Sequence, residues 1–215
     1  ISIGLVGSEM CIRDSIYSRL GNPTVGALEA RLTALEDGAM CVALSSGTSA
    51  VMYSLINIMS QGDNFVTANQ LYGGTYTMFD NILPEYGINS KKVDITDFEA
   101  VESAIDEKTR AIYCETITNP GLVVADISAL ADIAHSKGIP LIVDATFTTS
   151  AILKPFEFGA DIVVYSLTKW MSGHGRVIAG AVIEKGGFDW GNGNFPLYDK
   201  PDTSYGGMRW GHDLG

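Results

Sequence analysis

A lysine and two hydroxyls follow an apolar run in the second half of the chain. Residues 161–165, DIVVY, have the length and composition of a strand buried on both faces, and Ser166, Thr168 and Lys169 come directly after it. These groups suit an anionic ligand with a reactive carbonyl. An amine in a partly desolvated pocket loses its proton more easily and can then form a Schiff base. The alternative is a lysine that only solvates the end of a strand.

A carboxylate stands at the end of a second apolar run. Residues 141–143, LIV, predict another buried strand, and Asp144 follows it where an α/β sheet carries its functional groups. Pyridoxal 5′-phosphate needs a carboxylate at its ring nitrogen, a lysine at its aldehyde and a cup for its phosphate. Asp144 and Lys169 therefore make pyridoxal phosphate the candidate cofactor.

Small residues that could bind a phosphate lie between a predicted strand at 40–44 and a predicted helix at 50–59. The turn at 45–49, SSGTS, opens that helix. Free backbone N–H groups and the positive end of the helix dipole make such a turn a phosphate site. An ordinary helix N-cap is the alternative.

Two more side chains could contact a cofactor ring. Tyr72 opens a predicted helix at 71–84, and the two glycines after it allow a close backbone approach. Its ring could stack on the cofactor, or it could be a core tyrosine. Asn119 precedes a proline and is held outside the helical region, so it could donate to the phenolic oxygen of the ring or simply form a turn.

The other predicted elements alternate between strands and helices. We expect strands at 65–68, 87–93 and 111–115, and helices at 25–36, 97–105 and 127–137. Thr24 is the predicted N-cap of the first helix. This alternation indicates an α/β domain with a mainly parallel sheet and helices on both faces. After Ala181 the sequence is rich in Gly, Pro and aromatic residues and predicts a long loop.

Composition favours one domain and excludes several partners. The chain has 215 residues, 46% of them hydrophobic, and a net charge of -11, which argues against nucleic acid and anionic membranes. No apolar run is long enough to span a membrane. The three cysteines form no C-x-x-C pair and His135 and His174 have no suitable partners, so we expect no disulfide framework and no metal site. A reducing cytoplasm is the expected location.

Six short motifs together resemble the Cys/Met-metabolism family of pyridoxal-phosphate enzymes, which includes cystathionine γ-synthase, cystathionine lyases, methionine γ-lyase and O-acetylhomoserine sulfhydrylase. In chain order they are YSRLGNPT, SSGTSA, LYGGTYTMF, ETITNPG, IVDATF and SLTKWMSGHG. The resemblance runs from about Tyr17 to the end of the chain. It implies the large domain of fold type I, the aspartate-aminotransferase-like fold, with the C-terminal domain absent.

The resemblance also implies roles for motif residues. Lys169 would hold the cofactor as a Schiff base and move protons, Asp144 would pair with the ring nitrogen, and Tyr72 would stack on the ring and assist proton transfer. The full set implied around the cofactor is Ser46, Gly47, Thr48, Tyr72, Asn119, Asp144, Ser166, Thr168 and Lys169.

An arm before the first helix is expected to cross between subunits. Tyr17 and Arg19 match residues that in this family reach the phosphate of a neighbouring subunit's cofactor. An acidic chain needs a local cation for a dianionic phosphate, and a guanidinium can bind one in bidentate fashion. The resemblance implies at least a dimer, and a homotetramer is expected. An exposed arginine in a frayed terminus is the alternative.

Four parts are predicted along the chain. Residues 1–15 are interpreted as a non-family leader that is not native sequence, and residues 16–39 as an N-terminal arm and helix. Residues 40–185 are interpreted as the cofactor-binding α/β domain. Residues 186–215 are expected to lead toward the absent C-terminal domain.

The chemistry that the resemblance implies is γ-replacement in methionine biosynthesis, in which O-acetyl-L-homoserine and sulfide give homocysteine and acetate. The elements FDW, FP and PDTSY near the end of the chain favour this branch. Thr48, Ala145 and Arg176 depart from the usual family residues and leave the substrate open. A cystathionine γ-synthase or a cystathionine or methionine γ-lyase would share every residue named above.

Two alternatives lie outside this chemistry. A non-catalytic fragment that binds pyridoxal phosphate is one. A nucleotide-binding module of Rossmann type is the other, and the lack of a G-x-G-x-x-G after the first strand argues against it.

Overall fold

The structure is a computed structural model that describes residues 17–18 and 21–213. The predicted leader at 1–15 and the predicted phosphate ligand Arg19 lie outside the described residues.

A mixed sheet forms the centre of the described part of the chain. Its seven strands there are β1 Met40–Leu44, β2 Asn64–Ala68, β3 Asn89–Val93, β4 Thr109–Glu115, β5 Leu141–Asp144, β6 Ile162–Ser166 and β7 Gly180–Glu184. Their order is β1-β7-β6-β5-β4-β2-β3. Strands β3, β2, β4, β5 and β6 pair in parallel, whereas β7 runs antiparallel to both β6 and β1. The predicted α/β fold with a mainly parallel sheet is confirmed.

Helices separate most of the strands. They are α1 Pro23–Glu36, α2 Gly47–Ile56, α3 Gly73–Thr77, α4 Phe98–Ala104, α5 Ile127–Ser136, α6 Thr149–Ile152, α7 Pro196–Asp199 and α8 Trp210–Asp213. A π-helical turn at Met78–Ile82 and a 3-10 turn at Leu83–Tyr86 continue α3, and further 3-10 turns lie at Pro155–Phe158 and Thr203–Tyr205. No helix within the described ranges is long and apolar enough to cross a membrane.

The N-cap of α1 differs from the prediction. The Asn22 side chain accepts hydrogen bonds from the amides of Thr24 and Val25, so Asn22, and not Thr24, caps the helix. Pro23 then occupies the first helical position, where its missing N–H costs nothing.

The core lies on both faces of the central strands. Every residue of β2 and of β4 is buried, because helices cover these strands on either side. Phe65, Phe79 and Tyr113 form a chain of edge-to-face ring contacts through this core, with centroids 4.7 and 5.2 Å apart. The central strands are therefore a rigid base for the residues at their ends.

The segment after β7 is more ordered than a plain loop. Phe188, Trp190, Phe195 and Tyr198 pack in an aromatic cluster, and Phe195 is fully buried. The Trp190 indole N–H donates to Glu184 Oε1 at 2.8 Å. The long loop predicted here therefore contains short helices, and its aromatic side chains pack against one another.

Candidate active site

Parallel strands bring polar side chains to one edge of the sheet. Strand β4 ends in Glu115, β5 in Asp144 and β6 in Ser166, and all three side chains line a cavity of about 640 Å³. The carboxyl edge of the parallel strands is where an open α/β sheet binds its ligands.

Most of the predicted site residues line this cavity: Ser46, Gly47, Thr48, Tyr72, Asn119, Asp144, Ser166, Thr168 and Lys169. Tyr17 is half-exposed and is not among the described residues that line it. The structure thus gathers residues that the sequence places more than a hundred positions apart.

One end of the cavity, here called the helix end, consists of Ser46, Gly47, Thr48 and Ser166. Ser46 is the N-cap of α2, and its side chain accepts a hydrogen bond from the Ser49 amide at 3.0 Å. The amides of Gly47 and Thr48 have no acceptor among the described residues. Two free donors at a helix N-terminus are suited to an anion.

Two glycines permit the close packing of the helix end. A Cβ added at Gly47 would lie 2.4 Å from Ser166 Cβ and 2.8 Å from its Cα. A Cβ added at Gly180, the first residue of β7, would lie 2.0 Å from the carbonyl oxygen of Ser46. Only glycine lets β6 and β7 approach the start of α2 this closely.

The two hydroxyls after β6 differ in their surroundings. The Thr168 hydroxyl contacts the carbonyl of Ala179 at 3.2 Å and accepts from the amide of the same residue at 3.1 Å. It must give up the first bond to donate to a ligand. The Ser166 hydroxyl has no partner among the described residues, while the Ser166 amide donates to Thr146 Oγ1 at 2.8 Å.

The other end, here called the carboxylate end, consists of Glu115 and Asp144, and the buried Tyr113 lies behind them. Asp144 Oδ1 accepts from the Thr146 amide at 2.9 Å, and Oδ2 accepts from the Tyr113 hydroxyl at 3.3 Å. Burial raises the pKa of Asp144, and these hydrogen bonds offset part of that rise. A protonated ring nitrogen is a cationic partner that would stabilise such a carboxylate.

Glu115 is a site residue that the sequence analysis missed. It is buried, and burial, with a smaller contribution from Asp144, raises its pKa to about 7. The signal was available, because Glu115 ends a buried strand just as Asp144 does.

Lys169 lies at the rim of the cavity and its side chain is exposed. The sequence predicts a partly desolvated lysine, whereas the described residues leave the Lys169 side chain exposed. The reason is local: Lys169 sits in a turn beyond β6, beside the exposed Trp170, and not on the strand itself. Within the described part, no carboxylate forms an ion pair with Lys169.

Several lining residues carry no chemical signal in the sequence. They are Val51, Thr75, Ile117, Thr146, Phe147, Trp170, Gly173, Gly175 and Ile178. Apolar or small residues of this kind also occur throughout the core, so only the fold shows that they face the cavity.

The cavity fits pyridoxal phosphate by its donors and its charges. It has free amides at the helix end, a buried carboxylate at the other end, and a lysine at the rim. Its volume is in the range of small-molecule sites. Among the described residues, no group of His, Cys, Asp and Glu could hold a metal ion.

The chain is similar to known pyridoxal-phosphate enzymes over most of its length. The profile of the Cys/Met metabolism PLP-dependent enzymes matches residues 8–201, so the match begins inside the segment 1–15 that the sequence analysis set apart. The chain is 45% identical over 195 residues to an O-acetyl-L-homoserine sulfhydrylase of Leptospira meyeri, covering 91% of this chain and 44% of that protein. It is also 45% identical over 196 residues to a homocysteine synthase of Schizosaccharomyces pombe, covering 90% of this chain and 46% of the relative.

Solved structures share the fold. A crystal structure described as an O-acetylhomoserine (thiol)-lyase of Campylobacter jejuni, which contains N′-pyridoxyl-lysine-5′-monophosphate, superposes with a TM-score of 0.88 at 39% identity and covers 91% of this chain and 49% of that one. A cystathionine γ-lyase of Lactobacillus plantarum complexed with L-serine gives a TM-score of 0.76 at 41% identity, over 79% of this chain and 44% of that one.

These matches confirm the resemblance drawn from the motifs, including the fold type and the cofactor. The chain spans a little under half the length of the curated relatives it matches. The profile match and the identities to relatives together show that the chain belongs to the family of Cys/Met metabolism PLP-dependent enzymes.

Proposed function

We propose that this chain is the cofactor-binding part of an enzyme that converts O-acetyl-L-homoserine and sulfide into homocysteine and acetate. The relatives named O-acetyl-L-homoserine sulfhydrylase and homocysteine synthase support this reaction. The observation that carries the proposal is one cavity in which Lys169, Asp144 and the start of α2 meet.

Each end of the cavity has its own task in this proposal. The amides of Gly47 and Thr48 bind the phosphate, with the Ser166 hydroxyl beside them. Asp144 holds a proton at the ring nitrogen. When bound, pyridoxal phosphate supplies an electron sink that stabilises negative charge on the substrate's α-carbon.

The remaining residues act on the substrate side. Lys169 Nζ attaches the cofactor and moves protons to and from the substrate. Tyr72 lies against the ring and Asn119 donates to its phenolic oxygen. Both side chains are exposed at the cavity and have no hydrogen-bond partner among the described residues, so they are available for these contacts.

An alternative reaction is γ-elimination, as in a cystathionine γ-lyase. The similarity to the cystathionine γ-lyase of Lactobacillus plantarum supports γ-elimination as the alternative. Product analysis of the complete protein separates the two, because replacement consumes sulfide and releases acetate whereas elimination needs no added nucleophile.

The assembly is part of the proposal. Among the described residues that line the cavity, Lys169 is the one basic side chain. The phosphate therefore needs a second cation, and Arg19 of a neighbouring subunit, with Tyr17, would supply the contact in a cytoplasmic homotetramer. Mixing Arg19→Ala subunits with Lys169→Ala subunits of the complete protein should then restore some activity, whereas Arg19→Ala assemblies that bind cofactor as tightly as wild type would rule this out.

Covalent labelling tests the cofactor site. The chain is incubated with pyridoxal phosphate, reduced with borohydride and digested, and the modified lysine is located by mass spectrometry. We expect the label on Lys169, and its loss in Lys169→Ala but not in Lys185→Ala, a control at an exposed lysine outside the cavity. A label that persists elsewhere in Lys169→Ala at the wild-type level would refute the assignment.

A further inference from the structure

Glu115 is a buried carboxylate to which the proposed function gives no task. Its side chain lines the cavity and the residue is only 5% exposed. It is paired in register with Asp144 on the adjacent strand, so two carboxylates stand side by side at the same edge of the sheet. Burying a charged carboxylate costs free energy unless hydrogen bonds stabilise it.

Both oxygens of Glu115 accept hydrogen bonds from backbone amides. The Tyr72 N–H donates to Oε1 at 2.7 Å, and the Asn119 N–H donates to Oε2 at 2.9 Å. Tyr72 precedes α3, whereas Asn119 lies in the turn after β4. One side chain thus joins the two segments that carry the residues expected at the cofactor ring.

Glu115 binds the backbone of these two residues, and hydrogen bonds do not fix their side chains in the described part of the chain. Tyr72 is 47% exposed, Asn119 is exposed, and neither side chain has a hydrogen-bond partner in the described part of the chain. Their positions therefore depend on where their backbone is anchored.

We propose that Glu115 is a positioning residue, which sets where Tyr72 and Asn119 stand around the cofactor ring by holding the backbone of both. The two hydrogen bonds from the Tyr72 and Asn119 amides to the Glu115 carboxylate are here called the bridge. The identity of the ring rests on the proposed function, but the bridge does not. Glutamine in this position keeps one acceptor oxygen and turns an NH₂ group toward the other N–H donor, so Glu115→Gln removes one bond with almost no change in volume.

The bridge is tested first in the chain without cofactor. The titratable side chains that share the cavity with Glu115 are Asp144, Tyr72 and Lys169. In ¹H–¹⁵N spectra we expect the amides of Tyr72 and Asn119 to shift with one common midpoint, near the pKa of about 7 of Glu115. The shared midpoint should vanish in Glu115→Gln.

Glu36→Gln is the matched control. Glu36 is fully buried, its carboxylate accepts from the Tyr165 hydroxyl, and it does not line the cavity. The common midpoint should persist in this variant. Different midpoints for the two amides in wild type, or a common midpoint that persists in Glu115→Gln, would overturn the proposal.

The positioning effect is tested next by adding pyridoxal phosphate. We expect the dissociation constant to rise about tenfold in Glu115→Gln, with a changed circular dichroism of the bound cofactor, because the ring contacts lose their anchor. Glu36→Gln should match wild type in both. An unchanged constant and dichroism in Glu115→Gln would refute the positioning role. A wild-type chain that binds no cofactor would count against the proposed function, while loss of the common midpoint in Glu115→Gln would still support the bridge.

Discussion

The two ends of the cavity are built by different physical means. The helix end uses backbone amides, hydroxyls and two glycines, and its described residues include no charged side chain. The carboxylate end uses two acids that the sheet removes from water, with a buried tyrosine behind them. The helix end should therefore be sensitive to added volume, and the carboxylate end should be sensitive to pH.

The largest effect is expected at the carboxylate end, from Asp144→Asn. An amide cannot hold a proton at the ring nitrogen by charge, so turnover of the complete protein should fall about 100-fold or more while cofactor binding stays measurable. Steady-state kinetics and a binding titration check this. Turnover close to wild type would show that Asp144 does not act through its charge on the ring nitrogen.

Gly47→Ala is the matching test of the helix end. Its new Cβ would meet the backbone of Ser166, so we expect a loss of about 2 kcal/mol in the free energy of unfolding and weaker cofactor binding. The loss should be equal at pH 5 and pH 8. Gly26→Ala in α1 is the control, because its Cβ would meet nothing within 4 Å and should stabilise the helix slightly.

The carboxylate end should also make the stability of the fold depend on pH. The pKa of Glu115 is about 7 in the folded protein, above the ordinary value of 4.5. Between these values the folded state holds a proton that the unfolded chain has released, so the free energy of unfolding falls as pH rises from about 4.5 to 7.

Urea unfolding of wild type and Glu115→Gln across this interval isolates the contribution of that residue. The difference between the two proteins should change by about 3 kcal/mol and then level off above pH 7. A constant difference would show that Glu115 titrates in the folded protein as it does in the unfolded chain.

The smallest effect is expected from Tyr113→Phe. The variant removes the hydroxyl that donates to Asp144 and keeps the ring contact with Phe79, so stability should fall by only about 1 kcal/mol. The pKa of Asp144 should rise, because this hydrogen bond lowers it. Carboxyl ¹³C titration measures the shift, and an unchanged pKa would show that the 3.3 Å contact contributes nothing.

The ends of central strands were predictable from the sequence. Apolar runs before Asp144 and Lys169 predict buried strands, and parallel strands must bring their ends to one edge. Two features were not predictable in this way. Strand β7 begins with glycine and gains its stability from pairing on both sides, and the exposure of Lys169 depends on the path of the turn after β6.

The reversed direction of β7 decides what kind of connection carries the lysine. A parallel partner for β6 would need a crossover that takes the chain to the opposite edge of the sheet, whereas an antiparallel partner can begin where β6 ends. Ser166 pairs with Gly180, so residues 167–179 leave and re-enter the sheet at the same edge. The loop that bears Lys169 can therefore gain or lose residues during evolution without any change in the order of the strands.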